Sequence, residues 1–496
     1  MKRVRMICNL HYKLGEVDKR LFGSFAEHMG RVIYSGIYEP ENQNSDEDGF
    51  RKDVLTAVRK GGITTVRYPG GNFVSSYNWE DGIGPKEKRP TCLDLAWKSI
   101  EDNSFGTDEF MRWVGKANVI PMMAVNLGTR GIMDAVHYLE YCNIEEGTKY
   151  SNLRVENGRK SPYNIKLWCL GNEMDGKWQI GHKTAQEYGR LAAETSKAMK
   201  EVDPSIETVL CGSSLKTMDT FPEWEMQVLE EAYEYVDYIA LHQYFGGQEM
   251  GTERFLSQAD EIREYIDVVI SACKYTKAKN RSRNNLSISF DEWGVWTQQS
   301  CETVREAEEK RWQKAPAISE MIYTFEDSLL FAGMLMAFMK RAGSVKIACQ
   351  ALIANISSMI MTEAGGGLWY QPNYYPFAAM SAYGVGTVMD TRTEENDGML
   401  DTVTVLNGRH TEVVIFAVNR SVNEEIELEF CFEGIHPEEV IRHEIMHLED
   451  RKSTNLVDHK LVRPVECNLS FLKGETLVSI IPALSWNVIR IGIRPA

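Results

Sequence analysis

Apolar residues recur along the first three quarters of the chain in short, nearly continuous runs separated by longer stretches with helical spacing. The runs are Leu21–His28, Thr64–Pro69, Val119–Asn126, Ile165–Glu173, Thr208–Gly212, Val236–Tyr244, Leu286–Trp293 and Val345–Leu352. Unbroken runs of this length suit parallel strands buried on both faces. Amphipathic segments lie between them, such as Thr184–Val202, where Tyr188, Leu191, Ala192, Thr195 and Met199 follow the helical spacing. Eight alternations of strand and helix predict a (β/α)8 TIM barrel of the α/β class over residues 17–385.

The texture changes after about Val385. Thr402–Leu406, Glu412–Val418, Glu425–Phe432, Val440–His447 and Leu477–Ile481 read as strands joined by turns, with Asn407-Gly408 a hairpin signal. An all-β sandwich, jelly-roll-like, is expected over residues 386–496. It also takes the opening strand within residues 1–16, because the first barrel strand begins only near residue 21.

Composition narrows the class. The 496 residues carry 71 acidic against 55 basic side chains, a formal net charge of −16, with 43% hydrophobic residues. That apolar content excludes a disordered chain, and the acidic surplus argues against a nucleic-acid partner. The longest apolar stretch, Ser328–Met339, stops at Lys340-Arg341 and is too short to span a bilayer. The N-terminus has no apolar segment that would direct export. Ten scattered cysteines form no C-x-x-C pair, so free thiols in the cytoplasm are expected, with no membrane partner.

A barrel carries its active site at the C-terminal ends of its strands. The polar residues there are Glu27 and His28, Arg67 and Asn72, Asn126, Asn172 and Glu173, His242 and Tyr244, and Asp291 and Glu292. One acidic residue closing a strand needs no function, since charge at a strand end is solvated. Two of them, Glu173 and Glu292 on the fourth and seventh strands, face one axis. That is the arrangement two-carboxylate glycoside hydrolysis requires, with one carboxyl protonated and the other ionised.

The strings around these residues are long and unusual. Gly171-Asn-Glu-Met-Asp-Gly176 and Phe290-Asp-Glu-Trp293 resemble the acid/base and nucleophile motifs of the α-L-arabinofuranosidases of glycoside hydrolase family 51. So do Ala26-Glu-His-Met-Gly-Arg31, Val66-Arg-Tyr-Pro-Gly-Gly-Asn-Phe73, Leu95-Ala-Trp97 and Leu241-His-Gln-Tyr244. The resemblance implies retaining, exo-acting release of terminal α-L-arabinofuranosyl groups from small neutral arabino-oligosaccharides, with no cofactor and no metal. It also implies a homo-oligomer, often a hexamer. Carried over residue by residue, Glu173 is the acid/base and Glu292 the nucleophile. Glu27, Asn72 and Asn172 hold sugar hydroxyls, Tyr244 stands beside the nucleophile and His242 near the acid/base. Arg67 supports the site floor and Trp97 forms part of an aglycone platform.

Two positions depart from the family pattern. Gly294 stands where Asn is usual, and Leu352 where a sugar-binding Gln is usual. Gln350, two residues earlier, points to the same barrel side by strand alternation and is the candidate to take over that contact. These departures keep a related furanoside, such as a β-D-galactofuranoside, as an alternative substrate. A non-catalytic carbohydrate-binding relative is the alternative of another class, and the presence of both carboxylates argues against it.

One motif competes. His443-Glu-Ile-Met-His447 matches H-E-x-x-H, which binds zinc when both histidines share a helical face. Its surroundings read as strand, so no metal site is expected there.

Overall fold

The computed structural model describes residues 2–394 and 397–494. Eight parallel strands close in sequence order into a barrel: Gly23–Phe25, Thr65–Tyr68, Ile120–Val125, Leu167–Leu170, Glu207–Cys211, Tyr238–Phe245, Ser287–Val295 and Val345–Ala351. Leu167–Leu170 is buried throughout, as its unbroken apolar run requires. Several strands are shorter than the apolar runs that mark them. The first ends at Phe25 and the fourth at Leu170, which leaves Glu27, Asn172 and Glu173 in loops above the strand ends. The helix after the fourth strand spans Ala185–Val202 and opens on a Thr184 cap whose side chain accepts from the Glu187 amide.

The C-terminal part is one ten-stranded sheet. The N-terminal strand Lys2–Glu16 lies within it, antiparallel to Gly386–Glu394 and parallel to Ile426–Glu433. The sheet curls over its own core, where Val4, Met6, Leu428 and Phe430 meet Ile415, Ile489 and Ile491. The sandwich expected from sequence is therefore a continuous ladder folded on itself. Register shifts after Cys8 and Lys13 lie in the strand that joins its halves, and such irregularities let a ladder bend.

Every residue of the helix Phe325–Met339 is buried. It packs on the seventh and eighth barrel strands on one side and on Leu400–Asn407, Glu412–Asn419 and Ser485–Arg494 of the sheet on the other. A helix covered on all sides is apolar on all sides, which accounts for the Ser328–Met339 run. Among the described residues, no helix is long and apolar enough to cross a membrane.

The H-E-x-x-H string lies in the strand His436–His447. Four residues along a strand span about 13 Å, so the two imidazoles do not converge as they would on a helix. His443 donates from Nε2 to Asn487 Oδ1 at 3.1 Å and accepts from the Ser470 hydroxyl at 2.8 Å. His447 donates from Nδ1 to the Leu484 carbonyl at 3.2 Å.

Candidate active site

At the C-terminal mouth of the barrel lies a cavity of about 670 Å³ lined by Glu27, Asn72, Trp97, Glu173, Tyr244 and Glu292 among others. Backbone irregularities build it. Asp291 and Glu292 sit at register breaks in the ladders to both neighbouring strands. Regular alternation would send consecutive side chains to opposite faces, but the breaks turn both carboxylates into the barrel. Glu173 follows Gly171 (φ 91°) and itself holds φ 44°, a left-handed conformation uncommon for a glutamate and typical of residues held for a task.

The charged groups form a connected chain. Arg67, rising from the second strand, donates Nη1 to Glu292 Oε1 at 2.8 Å and Nη2 to Asn172 Oδ1 at 2.6 Å. Its Nε lies 3.7 Å from Asp291. His242 donates Nε2 to Asp291 Oδ1 at 3.1 Å and Nδ1 to Glu173 Oε1 at 3.0 Å, and its Nδ1 also lies 3.3 Å from Glu292 Oε2. The Tyr244 hydroxyl donates to Glu292 Oε2 at 3.1 Å. On the solvent side, Trp178 donates its indole N–H to Glu173 Oε2 at 2.6 Å.

These contacts set the charge states. Burial alone would lower the His242 pKa, but the Glu292, Asp291 and Glu173 carboxylates around it prevail and push it up to about 10. The ring is therefore an imidazolium that donates from both nitrogens. Burial raises the Glu173 carboxyl, as does the nearby Glu292 charge, against the opposing pull of His242 and Trp178. Burial, with the Glu292 charge added, pushes Glu27 up to about 8. A carboxyl biased toward its protonated form beside one paired with a guanidinium can protonate a leaving oxygen while the other attacks carbon.

The structure brings most of the sequence-predicted residues to this place. Glu27 accepts the Phe73 amide at 2.9 Å and the Trp97 indole at 3.0 Å. Trp97 rides between Cys92–Asp94 and Ser99–Glu101, a hairpin whose second strand pairs with Gln313–Lys314 from the loop after the seventh barrel strand. Arg67, Asn172 and His242 stand behind the cavity wall. Gln350 does not reach the cavity. It lies one layer down the barrel, and its amide nitrogen donates to the Ala351 and Ser357 carbonyls, both at 2.6 Å. Leu352 itself lines the wall, so from this strand an apolar side chain faces the ligand space.

Sequence reasoning missed Trp178, Phe25, Met29, Leu215 and Trp296 in the lining. Only the nearness of Trp178 to the Glu173 motif hinted at its place. It missed Gly71 as well. A Cβ on Gly71 would lie 2.7 Å from Glu292 Oε1 and 3.3 Å from the Phe25 ring. Since Arg67 pins that oxygen, Gly71→Ala is expected to lower kcat/KM about 100-fold, the scale of an ångström displacement at a reacting group. Steady-state kinetics beside an unchanged thermal melt would show it; full activity would refute the crowding.

The chain matches the family described as Alpha-L-arabinofuranosidase 1 domain over residues 57–265 and Alpha-L-arabinofuranosidase C-terminal domain over residues 291–485. It is 50% identical to the intracellular exo-α-(1→5)-L-arabinofuranosidase of Acetivibrio thermocellus, across 99% of this chain and 100% of that protein. The chain belongs to glycoside hydrolase family 51, the α-L-arabinofuranosidases. The corresponding Bacillus subtilis enzyme is 46% identical over 99% of each chain. Among solved structures, a family 51 α-L-arabinofuranosidase from Bifidobacterium longum superposes with a TM-score of 0.93 at 36% identity, covering 99% of this chain and 100% of that one. An arabinose complex of the Thermotoga maritima enzyme gives 0.88 at 31% identity, covering 99% and 100%. Barrel and curled sheet are thus the architecture of this family.

Proposed function

We propose that this chain is a retaining, exo-acting α-L-arabinofuranosidase that shortens α-(1→5)-linked arabino-oligosaccharides from their non-reducing ends. One observation carries the mechanism: oxygens of Glu173 and Glu292, with a nitrogen of His242, lie within 4.8 Å of one another. Retaining enzymes hold their carboxyl groups about 5–5.5 Å apart, whereas inverting ones leave about 6.5–9.5 Å for a water. The linkage follows the names of relatives at 46–50% identity.

Glu292 attacks the anomeric carbon and forms a glycosyl ester as the aglycone oxygen takes the proton of Glu173. Glu173, now a base, removes a proton from water, which attacks the same carbon and frees arabinose and Glu292. Arg67 and Tyr244 hold the attacking carboxylate from two sides. His242 holds its positive charge between Asp291 and the two glutamates. Glu27 and Asn72 take sugar hydroxyls, with Trp97 packed against a sugar face. The amide oxygen of Asn172 accepts from Arg67, and its nitrogen, which donates to Asn72 at 3.3 Å over a long hydrogen bond, is the group assigned to the 2-hydroxyl.

Relatives named as intracellular support a cytoplasmic location. Residues 17–385 are taken as the catalytic unit and residues 1–16 with 386–496 as the sheet unit, within a homo-oligomer.

Proton NMR of arabinotriose hydrolysis tests this reading: α-arabinofuranose should appear first, released from the non-reducing end. Initial release of the β anomer, or faster cleavage of a galactofuranoside, would overturn it. Trp178→Phe removes a donor that favours the ionised form of Glu173. The sign follows: the Glu173 pKa rises further, and the alkaline limb of kcat/KM moves to higher pH. An unmoved limb would separate Glu173 from that limb.

A further inference from the structure

The three groups at the centre of the site also have the geometry of a metal site. Glu173 Oε1 and Glu292 Oε2 lie 3.0 and 3.3 Å from the same nitrogen, His242 Nδ1. The ligand atoms of four-coordinate zinc, each about 2.0–2.1 Å from the ion, stand about 3.3 Å apart. The remaining atoms of all three side chains are anchored from behind. Asp291 accepts from His242 Nε2 at 3.1 Å, Trp178 donates to Glu173 Oε2 at 2.6 Å, and Arg67 donates to Glu292 Oε1 at 2.8 Å. A carboxylate on the far nitrogen of a ligating imidazole, and hydrogen bonds on the ligating carboxylates, are the supports that orient ligands in zinc sites. The cavity adjoins both glutamates and gives an ion an entry path and a fourth position.

We infer that Glu173, His242 and Glu292 bind one Zn2+ reversibly, and that the bound ion blocks the hydrolase by occupying both carboxylates. The ion replaces the proton on His242 Nδ1 and the acid proton of Glu173, both of which leave to solvent, while Nε2–H stays hydrogen-bonded to Asp291. The two carboxylates that hold a single positive charge on this nitrogen face a doubled one when zinc takes its place. The blocking half of the inference rests on the proposed roles of Glu173 and Glu292; the binding half does not.

Calorimetric titration of the full chain with zinc chloride, repeated with Co2+ to read coordination from its absorption, tests both halves. One ion per chain is expected, with affinity weakened by L-arabinose. His242→Asn should reduce affinity by at least about 100-fold and Trp178→Phe by about 10-fold or more, the range seen when outer-shell partners of a metal site are removed. If His242→Asn fails to fold, Trp178→Phe carries the test, because Trp178 is half exposed. Cys301→Ser removes the exposed thiol at the cavity rim and should leave the affinity unchanged. Absence of binding, binding indifferent to both first variants, or binding lost with Cys301 would overturn the inference. Zinc that binds through His242 while hydrolysis continues would keep the site and overturn the catalytic roles of the two glutamates.

Discussion

Glu292→Gly is expected to lower kcat by roughly 10⁴–10⁶-fold, the scale of losing a covalent nucleophile. The residue makes no contribution that a neighbour could replace. Arg67 and Tyr244 are both donors aimed at its carboxylate, and without it they face an unfilled space. That space is also the handle for the test. Azide fits where the carboxylate stood and attacks the anomeric carbon from the same face. Because only one displacement then occurs, the product from an activated aryl α-L-arabinofuranoside should be the β-configured glycosyl azide. Product configuration read by NMR decides the matter. Near-normal turnover by the variant, or an azide product of retained configuration, would remove Glu292 from the nucleophile's place.

Glu173→Ala should behave in the complementary way. General acid assistance contributes about 10²–10⁴-fold, and the benefit grows with the basicity of the leaving oxygen. With arabinotriose as substrate, kcat/KM should fall by about that factor. With a dinitrophenyl arabinofuranoside, whose leaving group needs no proton, kcat/KM should stay close to the parent value. The second step still lacks its base, so kcat falls for both substrates, and with the dinitrophenyl substrate the glycosyl enzyme accumulates as a burst. Azide needs no deprotonation and should restore turnover. It attacks an intermediate that has already been inverted once, so its product should be the α-configured azide. A loss of kcat/KM that ignores the leaving group would instead mean that Glu173 supports the site without transferring a proton.

The two variants differ because the environments of the two carboxyls differ. Glu173 is buried, set in a left-handed backbone conformation and held by one imidazolium and one indole donor. Glu292 is ion-paired with Arg67 at 2.8 Å and takes a phenol hydrogen bond as well. His242 lies between them and touches both, with Asp291 behind it. A positive charge so placed draws the two carboxylates together without a direct clash of like charges. Each cation faces more than one carboxylate, Arg67 both Glu292 and Asp291 and His242 all three, so the removal of one acid still leaves every buried charge with a partner.

The pattern of apolar runs was enough to place eight strands, because a strand buried on both faces must be apolar along its length whatever surrounds it. The trailing polar residues of those runs were enough to nominate the site, since barrel topology sends every strand's C-terminal end to one mouth. Glu27, Asn72, Trp97, Glu173, Tyr244 and Glu292 meet there, although hundreds of residues separate the first from the last.

Other features depend on chain segments that are remote in sequence, and no local signal could report them. Alternation along an unbroken strand would put Gln350 and Leu352 on one face, yet the strand ends at Ala351, and Leu352 meets the cavity while Gln350 is held by backbone carbonyls. Asp291 and Glu292 would point apart in a regular strand; the register breaks with both neighbours turn both inward. Gly71 could be read as an ordinary turn glycine until Glu292 is seen 2.7 Å from where its Cβ would be. The Ser328–Met339 run was recognisable as too short for a bilayer, but the reason for its uniform apolarity is the sheet that covers its outer side. What the sequence determined by itself was which residues are apolar along each element and which acidic groups end the strands, because burial and charge are properties of the residues. What only the tertiary structure decided was depth, direction and distance, because these are set by how segments far apart in the chain stack, bend and close around one another.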